Sequence, residues 1–133
     1  MGLQITQVRV KNFRSIESLN VKLTQNNVVL GQNNCGKSNL LRAINIALTP
    51  NPTVSEEDIF VAHGETLTKD KESIIDILIR PTNEDGSIAS NFSVFWAKVF
   101  TTNWIATDID TGDFVGIRTI IAYNPEFDSY TTF

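Results

Sequence analysis

One cysteine in 133 residues leaves nothing for an internal disulfide to join, so the fold must rest on its core, and a reducing, cytoplasmic setting is expected. No apolar run approaches the roughly 18 residues of a bilayer-spanning helix, and the N-terminus lacks the apolar stretch of a secretory signal. Both absences point to a soluble chain with no membrane partner. Basic residues are also few, since 11 Lys and Arg against 15 Asp and Glu give a net charge of -4. That balance argues against a free-standing nucleic-acid binder held by phosphate neutralisation, although Arg9, Lys11, Arg14 and Lys22 leave room for a local positive strip. Repeats, low-complexity tracts, linkers and heptads are missing. What remains, at 41% apolar residues, is one domain's worth of chain with material for a core.

The most informative stretch is Val28-Val29-Leu30-Gly31-Gln32-Asn33-Asn34-Cys35-Gly36-Lys37-Ser38-Asn39, a short apolar run joined to a helical pattern through G-x-x-x-x-G-K-S. It reads as a phosphate-binding loop, or P-loop. Val28 to Leu30, apolar without alternation, fits a central strand covered on both faces. Gly31 and Gly36 permit backbone angles that a Cβ forbids, so successive N–H groups can turn inward around the oxygens of a β-phosphate. Lys37 would bridge the β- and γ-phosphates. Ser38 would supply a hydroxyl to Mg²⁺, and a helix starting there would aim its positive end at the anion. The expected ligands are ATP and Mg²⁺, lined by Gly31, Gln32, Asn33, Asn34, Cys35, Gly36, Lys37, Ser38 and Asn39.

Around this loop the chain reads as a β-rich α/β layer with one main helix. Leu3, Ile5, Val8 and Val10 alternate with polar residues except for a change of parity at Thr6-Gln7, which predicts a strand with a bulge or a late start. Leu19, Val21 and Leu23 predict a second strand, antiparallel to the first across the Arg14–Ser18 turn, as an edge hairpin; Asn26-Asn27 is a turn. The helix after the loop places Leu40, Leu41, Ile44, Ala47 and Leu48 on one face, with Ile46 an exception among polar neighbours, and ends at Thr49-Pro50-Asn51-Pro52. Ser55-Glu56-Glu57-Asp58 can cap a short helix through Ile59 and Phe60. Ile74 to Ile79 form a strand closed by Pro81, and Asn83 to Gly86 a turn. Phe92 to Phe100, Trp104 to Ile109 and Phe114 to Tyr123 are expected as three further strands, with Thr111-Gly112 at the tip between the last two.

Other tempting features have plainer readings. Asp108-Ile109-Asp110-Thr111-Gly112-Asp113 resembles a phosphotransfer motif or a calcium loop, but a strand follows where the first needs a helix, and the second has Thr119 where it needs Glu. A hairpin turn is expected. Cys35 needs no redox role, and His63 has no neighbouring His or Cys with which to bind a metal. The aromatic residues from Phe92 to Phe114 are expected in a core, because no Lys or Arg cluster accompanies them as it would on a base-stacking platform.

Val10-Lys11-Asn12-Phe13-Arg14-Ser15-Ile16, followed by Gly31-x-Asn33-x-x-Gly36-Lys37-Ser38-Asn39, resembles the opening of the ABC-type ATPases related to SMC, RecF and the OLD (overcoming lysogenisation defect) nucleases. The resemblance implies a P-loop NTPase of ABC-head type, with residues 1–48 as strands, P-loop and helix and 49–133 as a strand-rich continuation. It also implies that Arg14 sits near the nucleotide phosphates, and that heads pair into homodimers or higher oligomers around ATP. The chain departs from that pattern downstream: it has no apolar strand ending in Asp-Glu (Walker B), no L-S-G-G-like signature and no acidic cluster of Toprim type. No catalytic residue is therefore expected within it, and the 133 residues are expected to be the N-terminal portion of a longer protein or to be completed by a partner chain. The implied function is the ATP-binding lobe of an OLD-like, ATP-dependent DNA endonuclease in bacterial or phage defence. A RecF- or SMC-like DNA repair ATPase and a regulatory nucleotide-binding module are the alternatives.

Overall fold

The computed structural model describes residues 2–23, 34–49, 52–100 and 104–133, with the backbone alone for 34–37. The predicted strand at Val28–Leu30, the Asn26-Asn27 turn, and Gly31, Gln32 and Asn33 lie outside the described residues.

The described elements are β1 (Gly2–Phe13), β2 (Ile16–Lys22), α1 (Asn34–Leu48), a one-turn 3-10 helix (Glu56–Asp58), β3 (Ser73–Thr82), α2 (Val94–Phe100), β4 (Ile105–Asp108), β5 (Gly112–Asn124) and β6 (Ser129–Thr132). The strands form one sheet in the order β2-β1-β3-β5-β4, and every pairing is antiparallel. The free edge of β5 is shared, with β4 beside its start and β6 beside its end.

Period-two alternation explains the sheet's inner face. Val8 and Val10 of β1 and Ile75, Ile77 and Ile79 of β3 point inward and are buried, joined by Phe13, Ile16 and Ile121. Fully burying each such aliphatic side chain contributes roughly 1.5–3 kcal/mol. The expected parity change in β1 is a register shift between Ile5 and Gln7, which lets apolar residues on both sides of it face the same core.

α1 crosses this face, but not with the expected stripe. Leu40, Ala43 and Ile46 are buried, whereas Leu41 and Leu48 are 60% and 49% exposed. The seam follows i, i+3, i+6, so Ile46 is a core residue and not an exception. The helix also begins at Asn34, ahead of the expected start at Ser38. The N–H groups of its first turn that have no partner within the helix therefore include those of Asn34, Cys35 and Gly36.

Three other expectations change. Residues 94–100 are helical: Ala97 N–H donates to the Ser93 carbonyl at 2.9 Å, Trp96 and Phe100, one turn apart, stack at a centroid distance of 5.9 Å, and Phe92, ahead of the helix, folds back to meet the Phe100 ring edge-on at 5.4 Å. β3 runs through Pro81 instead of stopping before it, because β5 pairs only as far as Ile79 and asks no N–H of the proline. The helix after Ser55 is a single turn, since Ile59 enters an antiparallel bridge with Phe13. The hairpin tip between β4 and β5 is as expected, with Asp110 N–H donating to Asp108 Oδ1 at 2.8 Å and Gly112 at a φ of +91.

Candidate functional site

The β1–β2 hairpin closes through two residues, Arg14 and Ser15, between the paired Phe13 and Ile16. Arg14 has a φ of 49, whereas Ser15 is not left-handed. Positive φ at the first loop position alone is the sense of a II′ turn, where glycine is the favoured residue. An arginine there bears a backbone cost that its side chain or its bonding must offset. Asn12, two residues earlier, is left-handed as well, at a φ of 56.

Asp58, at the end of the 3-10 turn, is the partner of Arg14. Its carboxylate is fully buried and accepts from Arg14 Nε at 2.8 Å, Arg42 Nε at 3.1 Å, Arg42 Nη2 at 3.4 Å and the Ser55 N–H at 3.0 Å. The Asp58 carbonyl accepts from the Arg14 N–H at 3.0 Å and from Ser73 Oγ at 3.1 Å. Phe60 N–H, in turn, donates to the Asn12 carbonyl at 2.9 Å. One buried acid thus joins the hairpin tip, helix α1 and the segment that follows it. Burial pushes the Asp58 carboxyl up, but hydrogen bonds from Arg42, the Ser55 N–H and Arg14 outweigh it and hold the group below the usual carboxylate range.

The hairpin tip also touches the first half of α1, where Asn39 Nδ2 donates to Ser15 Oγ at 2.6 Å. Of the residues expected at the nucleotide, Arg14 and Asn39 therefore belong to one hydrogen-bonded neighbourhood. Ser38, the expected Mg²⁺ ligand, is exposed. Asn34, Cys35, Gly36 and Lys37 occupy the opening turn of α1, and their side chains lie outside the described residues. Among the described residues no group of three His, Cys, Asp or Glu could hold a metal. A Mg²⁺ ion suits one hydroxyl ligand of the Ser38 kind, since it keeps several waters and takes phosphate oxygens. Asp58 reads in the sequence only as one acid of a capping run, because its two arginines stand 44 and 16 residues away.

The opposite face of the sheet is mixed: a cationic row runs across it among the half-buried Ile74, Leu78, Phe114 and Ile120. Gln7, Arg9 and Lys11 of β1 alternate with buried Val8 and Val10 and pair with Lys22, Asn20 and Ser18 of β2. Arg9, Asp76 and Arg118 lie in one row across β1, β3 and β5, with Arg118 bidentate to Asp76 at 2.8 and 2.9 Å and Arg9 at 3.2 Å. The Arg118 hydrogen bonds lower the Asp76 carboxyl pKa against a smaller opposing effect of burial. Further along β3, the Arg80 guanidinium lies over the Phe114 ring at 5.2 Å. The positive strip expected from Arg9, Lys11 and Lys22 is thus extended by Arg80 and Arg118, while Arg14 turns away to Asp58.

A G-x-x-x-x-G-K-S sequence whose second half opens α1, a helix laid over a largely β sheet, is consistent with the class of P-loop NTPases. Residues 3–129 match the AAA ATPase domain family, and the chain belongs to that family. Over 46 residues it is 44% identical to the uncharacterized protein YbjD of Escherichia coli (strain K12) and 37% identical to the endonuclease GajA of Bacillus cereus (strain VD045). Each match covers 35% of this chain and 8% of the relative, so the chain spans a small part of either protein. No solved structure matches. The family implies nucleotide binding, typically with Mg²⁺, and among the described residues no helix is long and apolar enough to cross a membrane.

Proposed function

We propose that this chain is the ATP-binding lobe of an OLD-like, ATP-dependent endonuclease that acts on DNA in bacterial or phage defence. The observation that carries the proposal is the order Gly31 to Ser38 running into α1, with the Arg14-Ser15 tip hydrogen-bonded beside that helix at Asn39. In this reading the phosphates meet the unpartnered N–H groups of Asn34 to Gly36 together with the Lys37 ammonium. Ser38 would hold Mg²⁺, which supplies charge neutralisation between the phosphates when bound. Arg14 and Arg42 add positive potential on the hairpin side of the helix. The base that orients water and the signature that closes the site come from other sequence, either a downstream segment of the same protein or a second, paired head.

Two observations favour DNA over other partners. One relative is named an endonuclease. The outer sheet face gathers Arg9, Lys11, Lys22, Arg80 and Arg118 around the single acid Asp76, which Arg9 and Arg118 share, in a chain whose net charge is -4, so a positive excess is concentrated where a phosphate backbone could lie. The strand-rich course from β3 to β6, in place of heptads, favours this branch over an SMC-like one. The test is Lys37→Ala in the complete protein: loss of MgATP binding by calorimetry, and with it ATP-dependent cleavage of duplex DNA, is expected. Unchanged binding would remove the nucleotide site from the loop.

A further inference from the structure

We infer that Asp58 is a positioning residue for phosphate recognition: it fixes the guanidinium groups of Arg14, at the hairpin tip, and Arg42, midway along α1, and leaves the cluster with positive charge to spare. The inference rests on the nucleotide site proposed above.

Stability alone accounts poorly for the arrangement. Burying a carboxylate costs several kcal/mol, and apolar side chains of equal volume are often as good or better in such a place. Asp58 is nonetheless fully buried, and its carboxylate is met by four N–H donors from three residues, two of which are arginines. The arginines are less buried than the acid: their side chains remain 32% and 37% exposed, so each reaches towards solvent, Arg42 with Nη2 also donating to the Thr53 carbonyl at 3.4 Å. Arg14 also occupies a turn position where glycine would be comfortable, and its left-handed backbone is held by its own N–H bond to the Asp58 carbonyl at 3.0 Å. The same residue therefore grips Arg14 by backbone and by side chain. Two guanidiniums against one carboxylate give the cluster a charge of +1. The neighbouring Ser15–Asn39 bond at 2.6 Å places that charge against the helix that follows the loop. An arginine on a stiff, strained turn spends little entropy when a phosphate arrives, which is the benefit of preorganisation.

The test compares Asp58→Asn and Arg14→Lys with the parent and with Lys37→Ala, all in the complete protein, by calorimetry with MgATP. Simple electrostatics and positioning make opposite predictions for Asp58→Asn. Asparagine raises the cluster charge by one, so electrostatics alone tightens binding, whereas loss of two charge-assisted anchors weakens it by about tenfold. Arg14→Lys keeps the charge and loses the Nε bond to Asp58; binding weaker by roughly fivefold is expected, because a flexible ammonium does not replace a fixed guanidinium. Because Arg14 is partly exposed, that variant decides the matter if Asp58→Asn does not fold. Tighter or unchanged binding in Asp58→Asn, or parental binding in Arg14→Lys, overturns the inference. If Lys37→Ala abolishes binding while the other two bind as the parent does, only the positioning role falls. If Lys37→Ala binds normally, the nucleotide site and the inference fall together.

Discussion

Replacing Arg14 by glycine and by alanine separates what its backbone costs from what its side chain provides. Either variant removes the Nε bond to Asp58. A charge-assisted bond of that kind contributes about 1.5–3 kcal/mol when fully desolvated. Here the arginine side chain is 32% exposed and Asp58 keeps Arg42 and the Ser55 N–H, so about 1 kcal/mol is the better figure. The variants differ in the turn. Alanine at a φ of 49 retains a left-handed cost of about 1–2 kcal/mol, which glycine releases. Glycine in turn loses about 0.5–1 kcal/mol to its greater freedom in the unfolded chain. Arg14→Gly should therefore be more stable than Arg14→Ala by about 0.5–1 kcal/mol, the reverse of the usual order within a helix or strand. Urea unfolding of both variants, followed by tryptophan fluorescence, reads the difference as a shift in midpoint at constant slope. An alanine variant as stable as the glycine variant would refute the claim that Arg14 is held in a strained turn.

Two further outcomes follow from the charges. Asp58 and Asp76 both titrate below the ordinary value of 3.8 in the folded protein. Their contribution is therefore complete above that value and is lost as pH falls through the lower folded-state values; a urea midpoint that is flat above about pH 4 and declines below it is expected, with a smaller decline in Asp58→Asn. On the outer face, Lys11→Gln with Lys22→Gln should lower the slope of log K against log salt for duplex DNA by about 2, measured by anisotropy on the complete protein. An unchanged slope would take that face away from the DNA.

Much of the sheet was legible because period-two alternation is a local signal. The parity change at Thr6-Gln7 was visible as letters and is a bulge in space. α1 was legible as a helix but not in its orientation, since Leu41 and Leu48 are as apolar as Leu40 and only packing tells them apart. Phe92 to Phe100 misleads through its β-branched and aromatic content, although Trp96 and Phe100 stand four residues apart behind Ser93, a helix signal that propensity conceals. β6 was missed because four residues, Ser129 to Thr132, are too few for alternation to register. For the site, the P-loop could be read from glycine, lysine and serine spacing alone. Asp58 could not, because its meaning lies in partners that the fold brings from Arg14 and Arg42.

The pairing of β1 with β3 has a consequence for how the chain is made. The β1–β2 hairpin is local and can close as soon as Lys22 has been synthesised, yet the second edge of β1 waits for Ser73, which lies 50 intervening residues later. At roughly 5–20 residues per second that is a wait of about 3–10 s, during which Val8 and Val10 and a row of unpaired amides stand open to other chains. β3 is thus the strand whose arrival closes that open edge of β1.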